Sequence, residues 1–434
     1  MKNMKKRSLR RIFAGILGIG ILLTGAAPCA AAAYGYDEYG DPIVTATPVP
    51  DSQSGQVTQA APAHSSYYSQ AADTDSIDGW PKGPNVEAQA AVLMDVNTEA
   101  VLYSKNGDTQ LYPASITKIM TTLLACENLN VKTKITVSEN ASTSVSAGDS
   151  SIYAAPGEVF TRDQTLMAVM LQSANEMSVA VAEEVSGSVK KFTELMNWRA
   201  KLFGCKNTHF NNPNGLPDET HYTTASDMAK IAKSAWLNPL FRRYCTRRYY
   251  EIPATNKFAE ARQLLNHHKM MKNGEYYYEG VLGGKTGYTD ASGNTLVTYC
   301  KRGNMTLVAV ILNSTSAANA YSDTASLFNY GFENFEKMDM KVSMEPVPFK
   351  VLPCDKYILK NNGNTYPFYY QTNVYVTVPK GTKRSQLTKR QAVLQNAAGP
   401  LRLKSKYYYQ KQMVGWGMQY ERNVVSDLLL QTSS

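Results

Sequence analysis

Two peptidase signatures are missing from this 434-residue chain: His-Glu-x-x-His does not occur, and neither does Gly-x-Ser-x-Gly. The first absence removes the helical zinc-peptidase pattern, and five histidines (His64, His209, His221, His267, His268) are all that remain for any other. The second removes the nucleophile elbow of a Ser-His-Asp hydrolase. Cys-x-x-Cys is also absent, and beyond Cys29 an odd set is left (Cys126, Cys205, Cys245, Cys300, Cys354), which supports neither a disulfide framework nor a zinc ribbon. Each thiol is expected to act as a small buried hydrophobe. No apolar run is long enough to span a bilayer, which takes about 20 residues; the longest, Ile12 to Ala27, has 16.

That run follows MKNMKKRSLRR, with six basic side chains, and precedes the small-residue stretch PCAAAAY. Basic, apolar and small segments in that order read as a secretory signal peptide over 1–33, cleaved near Ala31 to Ala33. Export accounts for most of the chain's basicity. Lys and Arg number 45 against 36 Asp and Glu, a formal +9, and the six leader cations reduce it to +3. The remainder is uneven: from Glu345 to Ser434 there are 13 basic against 4 acidic residues, so this end is +9 and the rest of the mature chain −6. Such a region attracts polyanions. Nucleic acid is not a partner for an exported chain, which leaves contact with an anionic wall polymer or a membrane surface, or a solvated Lys-rich sheet.

From Tyr34 to Trp80 there is no Lys or Arg, and Ala, Ser, Thr, Gln, Pro, Asp and Tyr dominate, so 34–84 is expected to be a flexible linker. At Ala88 the pattern changes. AQAAVLMDVNTEAVLYSKN predicts a hairpin, followed by helices at Ser115 to Glu127, Arg162 to Leu171, Asn175 to Val185, Ser188 to Phe203 and Thr224 to Trp236. Strands return at Asn294 to Arg302 and Met305 to Leu312, and a last helix spans about Ala317 to Phe335. Strands at both ends with helices between predict an α+β domain over 85–338, an antiparallel sheet covered by helices. Past Met340, short strands separated by Pro and Gly predict a second, small all-β domain, 339–434.

Three short elements in the α+β region could carry chemistry. In PASITKIM, Ser115 and Lys118 share one face of a helix's first turn. A serine needs a neighbouring base to become a nucleophile, and a lysine serves only if burial or nearby positive charge lowers its pKa. Alone, the pattern is also what a capping serine and a solvated lysine produce. In LQSANE, Ser173 and Asn175 flank a helix junction and could point a hydroxyl and an amide into one cleft. In GGKTGYT, Lys285, Thr286 and Gly287 lead toward strands; Gly280 lies one residue too near for a phosphate loop, and a strand edge of this composition suits an extended anionic peptide.

Ser-x-x-Lys, Ser-x-Asn and Lys-Thr-Gly in that order, about 55 and 110 residues apart, resemble the active-site set of penicillin-binding proteins and β-lactamases. With FNNPNGLPDETHYTTASDMAKIA from Phe210 to Ala232, the stretch from about Asn85 to Lys337 resembles the low-molecular-weight penicillin-binding proteins, the secreted serine D-alanyl-D-alanine carboxypeptidases. The resemblance implies an exported, extracytoplasmic enzyme, at the cell wall or the outer face of the cytoplasmic membrane, that cuts peptidoglycan stem peptides through an acyl-enzyme and is acylated by β-lactam inhibitors. By that similarity Ser115 is the nucleophile, Lys118 its base, Ser173 a proton relay, and Asn175 a partner of Lys118 or of the substrate amide. Lys285 would act electrostatically, Thr286 and Gly287 would bind substrate, and the backbone N–H groups of Ser115 and Tyr288 would form the oxyanion hole. No metal or organic cofactor is implied. Many relatives carry a carboxylate-binding arginine on the strand after Lys-Thr-Gly. The matching position here is read as Thr306, with Arg302 or another basic group as the substitute. A class A β-lactamase is disfavoured because no proline between Ser173 and Lys285 follows a glutamate. A noncatalytic wall-binding protein is disfavoured because the whole set of polar residues is present.

Overall fold

The computed structural model describes residues 64–340, 374–394 and 402–421, together with the short strands at 35–36, 42–43, 347–348, 365–366 and 368–370. The chain divides into two units, Met1–Pro48 and Val49–Ser434. In the first, Gly35–Tyr36 pairs with Pro42–Ile43; the expected signal peptide, 1–33, lies outside the described residues. The helices and the two larger sheets belong to the second unit.

Strands β1 (Ala90–Asp95), β2 (Val101–Lys105), β3 (Val281–Thr289), β4 (Gly293–Arg302) and β5 (Met305–Ser314) form one antiparallel sheet in the order β2-β1-β5-β4-β3. Successive strand side chains point to opposite faces, and here both faces are buried: Val92, Met94, Val308 and Val310 on one, Ala91, Leu93, Leu307 and Ala309 on the other. A strand covered on both sides need not alternate with polar residues, which is why β1 reads AAVLMD. The first and last strands of the domain lie together, Val92 opposite Val310, and β3 is left at an edge.

Helices α1 (Lys118–Asn128), α2 (Arg162–Leu171), α3 (Asn175–Ser186), α4 (Val189–Leu202), α5 (Ala225–Leu237) and α6 (Pro239–Cys245) build the core over the first face. Helix α7 (Ala317–Asn334) covers the second. Their starts follow from side-chain caps: Thr161 accepts from Gln164 N–H and completes a capping box, Thr224 accepts from Asp227 N–H, and Ser316 from Asn319 N–H. Helix α3 is different, for its cap position, Ala174, offers no side-chain bond. Among the described residues, no helix is long and apolar enough to cross a membrane. Cys205, Cys245 and Cys300 are free and buried as expected; Cys126 is free and half-buried, and Cys354 lies outside the described residues.

Past α7, Phe335–Asp339, Tyr375–Pro379, Gln412–Glu421, Arg402–Tyr409 and Leu387–Leu394 follow one another in an antiparallel sheet. This second sheet begins a few residues before the boundary expected at 338. The expected linker also ends early, because residues 64–84 are packed against the domain. Ser65 N–H donates to Glu87 Oε2 at 2.7 Å, the buried Lys105 Nζ donates to Tyr67 O at 2.6 Å, and Trp80 is 7% exposed. Composition alone suggested a tether; single anchors in a polar stretch decide otherwise. The Trp80 ring lies between Phe335 and Tyr409, with centroids at 5.0 and 5.9 Å, and its Nε1–H donates to Leu102 O at 2.8 Å.

Trp80→Ala should therefore destabilise the protein by about 3–5 kcal/mol in denaturant unfolding. A loss below about 1 kcal/mol would mean that this segment is not part of the cooperative fold.

Candidate active site

Ser115 sits on a 3-10 turn, Ala114–Thr117, that runs directly into α1. Side chains at i and i+3 eclipse in a 3-10 turn, whereas an α-helix sets them about 60° apart. The tighter turn brings Lys118 Nζ to 3.0 Å from Ser115 Oγ. Entry to the turn is left-handed, with Ala114 at φ +49°, a conformation costing a non-glycine residue roughly 1–2 kcal/mol. Neighbours hold it there. Thr295 Oγ1 donates to Pro113 O at 2.9 Å, and Gly215 and Gly287 press close: a Cβ on the first would lie 1.9 Å from Ala114 O, and on the second 2.8 Å from Ser115 N.

Lys118 is completely buried. Besides Ser115, its Nζ meets two carbonyl acceptors, Asn175 Oδ1 at 2.7 Å and Asn214 O at 2.6 Å. Burial, and next the charge of Lys285, hold its pKa well below the ordinary lysine value. Asn175 is the first residue of α3 and its N–H donates to Ser150 O at 2.8 Å. Its side chain is spent on Lys118, and the helix start goes without a cap at Ala174. Ser173, at φ +58°, places a buried Oγ at the cleft with no hydrogen-bond partner in the protein.

Lys285 lies on β3 and is 1% exposed; burial pushes its pKa down to about 7, and its Nζ donates to Thr286 O at 2.9 Å. Thr286, Gly287 and Tyr288 line a cleft of about 390 Å³ together with Ser115, Ser173 and Asn175. The predicted residues thus converge: six form the wall, and Lys118 and Lys285 stand behind it. The Tyr288 side chain is 61% exposed and its hydroxyl donates to Asp290 Oδ1 at 2.9 Å. Among the described residues, no three His, Cys, Asp or Glu converge as a metal-ligand set.

The expectation for Thr306 and Arg302 is corrected. Arg302 pairs with Met305 and Lys301 with Thr306 at one end of the β4–β5 hairpin, whereas Asn294, at the other end of β4, lines the cleft. The Arg302 guanidinium stacks over Tyr278 and Phe332, at 4.7 and 5.0 Å from their centroids. Counting forward from Lys-Thr-Gly led to the wrong end of a hairpin. The basic side chain on the cleft wall is Lys269, bound at 2.6 Å to Glu275 Oε2.

Sequence reading also missed how the segment from Asn211 to Leu216 is fastened. His221 is 1% exposed, and its Nδ1 accepts the N–H groups of Asn211 at 3.0 Å and Asn212 at 3.3 Å. That leaves Nε2–H to donate to Thr117 Oγ1 at 2.9 Å, between Ser115 and Lys118. Thr121 Oγ1 adds a bond to Pro213 O at 2.6 Å. These bonds seat Asn214 O on Lys118. Asn214 and His221 both occur in the quoted FNNPNGLPDETHYTTASDMAKIA stretch, but nothing in its spacing reveals which backbone groups His221 serves.

Comparisons of sequence and of fold with known proteins agree on one family. The profile of the D-alanyl-D-alanine carboxypeptidase family, peptidase S11, matches residues 79–316. D-alanyl-D-alanine carboxypeptidase DacF of Bacillus subtilis is 38% identical over 253 residues, 58% of this chain and 63% of that protein. Penicillin binding protein 5 from Haemophilus influenzae superposes with a TM-score of 0.63 at 25% identity, covering 79% of this chain and 99% of the other. The Streptomyces K15 DD-transpeptidase superposes at 0.55 with 30% identity, over 58% of this chain and 100% of the other. The chain belongs to the peptidase S11 family of serine-type D-alanyl-D-alanine carboxypeptidases.

Burial holds His221, His267 and His268 neutral, each with a pKa near 4. The unfolded chain, with histidines near 6.5, binds more protons between those values, so stability is full above about pH 6.5 and falls as pH drops toward 4. His221→Gln should flatten this slope in pH-dependent unfolding. An unchanged slope would show that the His221 site does not exclude its proton.

Proposed function

We propose that this protein is an exported D-Ala-D-Ala carboxypeptidase that removes the terminal D-alanine of peptidoglycan stem peptides and is acylated by β-lactams. One observation carries the reading: Lys118 Nζ, buried, lies within hydrogen-bond reach of Ser115 Oγ and of two carbonyl acceptors. An ammonium would use all three protons there. A neutral amine gives two to Asn175 Oδ1 and Asn214 O and turns its lone pair to the Ser115 hydroxyl.

Ser115 Oγ passes its proton to Lys118 and attacks the carbonyl carbon of the penultimate D-alanine. The oxyanion lies at the N–H groups of Ser115 and Tyr288. As the C–N bond breaks, the proton moves by way of Ser173 to the departing D-alanine nitrogen, and water then hydrolyses the ester and restores Ser115. The unpartnered Ser173 hydroxyl supports the relay, and the edge position of β3 supports an extended peptide laid alongside Thr286 to Tyr288. Lys285, with its own pKa near 7, repels a charge on Lys118 whenever it is protonated and so favours the neutral amine. Thr286 and Lys269 receive the substrate's terminal carboxylate. A β-lactam enters the same path, but its leaving nitrogen stays tethered. The K15 relative is named for transpeptidation, which hands the same acyl group to an amine instead of water.

Outside the cleft, the exposed Lys389, Arg390 and Lys406 of the second sheet, and Lys383 in the connection ahead of its Leu387–Leu394 strand, support contact with an anionic wall polymer or membrane surface, on the outer side of the cytoplasmic membrane. The order of leader segments supports export.

A fluorescent penicillin should label the wild type stably and fail to label Ser115→Ala, and the wild type should release D-alanine from a diacyl peptide ending in D-Ala-D-Ala. Absence of both activities in folded protein overturns the enzyme reading; rapid penicillin turnover favours a β-lactamase, and peptide transfer to an added amine a transpeptidase. Lys269→Met should raise KM about tenfold, against the roughly 1.5–3 kcal/mol of a hydrogen bond to a charged group, with little change in kcat. An unchanged KM excludes Lys269 from carboxylate binding.

A further inference from the structure

One charged side chain of the cleft wall has no part in that chemistry. Among the residues lining the cleft, Asp149 is the single acid and Lys269 the single Lys or Arg. Asp149 is half-buried on the wall that also carries Ser150, Ser173 and Asn175. It is held in place: its Oδ2 accepts the N–H of Ser146 at 2.8 Å, closing a turn through Gly148. The next residues are fixed to the start of α3. Asn175 N–H donates to Ser150 O at 2.8 Å, and the buried Glu176 Oε1 accepts both Ser151 Oγ and Ile152 N–H at 2.8 Å. The carboxylate therefore belongs to a rigid wall rather than to a swinging loop. After the buried Glu176, it is the second carboxylate that bears on Lys118 through space in the direction that opposes deprotonation, and the one of the two that lines the cleft.

A negative charge in that place works against the base unless substrate neutralises it. With a carboxylate directed to Thr286 and Lys269, a peptide crossing the cleft presents its earlier residues to the remaining wall. We propose that Asp149 is a subsite for an ammonium group on the acyl donor, the free side-chain amine of a dibasic residue preceding D-Ala-D-Ala. The proposal rests on the carboxypeptidase reading and narrows its substrate to stem peptides whose side-chain amine is not acylated. Cross-linking converts that amine to a neutral amide with an added chain, so the charge partner of Asp149 is lost. An ammonium bound here also screens Asp149 from Lys118, so that the preferred substrate assists the neutral state of the base. The enzyme would then act on strands before they are cross-linked rather than after.

Two peptides test this, each N-acylated and ending in D-Ala-D-Ala, one with a free lysine amine before D-Ala-D-Ala and one with that amine acetylated. For the wild type at low salt, kcat/KM should favour the free amine about two- to fivefold, as for a partly exposed ion pair, and the ratio should shrink with added salt. Asp149→Asn keeps an oxygen for the Ser146 N–H and should bring the ratio to about one. Asp149→Lys should invert it. Each variant is compared after its thermal unfolding matches the wild type. A wild-type ratio of one with D-alanine still released overturns the subsite and leaves the carboxypeptidase reading standing, as does a preference that survives in Asp149→Asn. Release from neither peptide overturns both.

Discussion

A single buried amine organises this cleft. Lys118 has no solvent to stabilise its charge, two carbonyl oxygens to receive two protons, and a serine hydroxyl in the third direction. Burying an unpaired ammonium is costly enough that the group neutralises instead. Other parts of the site either hold those three partners in place or add to the pressure for neutrality. Asn175 reaches Lys118 because α3 starts without a side-chain cap, Asn214 because His221 and Thr121 clamp its segment to the nucleophile turn, and Ser115 because the turn is 3-10 rather than α. Lys285 adds a second buried amine nearby, which when protonated opposes a charge on Lys118.

The strain at Ala114 belongs to the same constraint. A left-handed residue ahead of the nucleophile is not a local preference; the chain accepts it because Gly215 and Gly287 approach so closely that a side chain on either would collide with the turn. These two glycines lie about 70 residues apart in sequence and belong to different walls of the cleft. The nucleophile is thus placed by the closed fold and not by its own segment.

Much of this was legible before any coordinates. Apolar spacing located α2 and α3 to within a residue, and the edge strand that carries Lys-Thr-Gly was read as a place for an extended peptide. What escaped is nonlocal. The apolar positions Ile116, Ile119, Met120, Leu123 and Leu124 suit an α-helix from Ser115 as well as a 3-10 turn followed by one, and only the glycines decide. His221 looks like any histidine until the backbone N–H groups of Asn211 and Asn212 fix its tautomer. Thr306 was misplaced because a residue count along a hairpin does not say which end faces the cleft. Residues 64–84 read as linker because one tryptophan and a few backbone carbonyls do little to a composition.

The central claim is that Lys118 is neutral at working pH because it is buried beside Lys285. The most direct measurement is an NMR titration of the Lys118 Nζ and Cε resonances in protein labelled at lysine, assigned by comparison with a Lys118→Met variant. A midpoint well below the ordinary lysine value near 10.4, moving upward when Lys285 is replaced by methionine, is the predicted result. A Lys118 that titrates as a solvated lysine does would contradict the account.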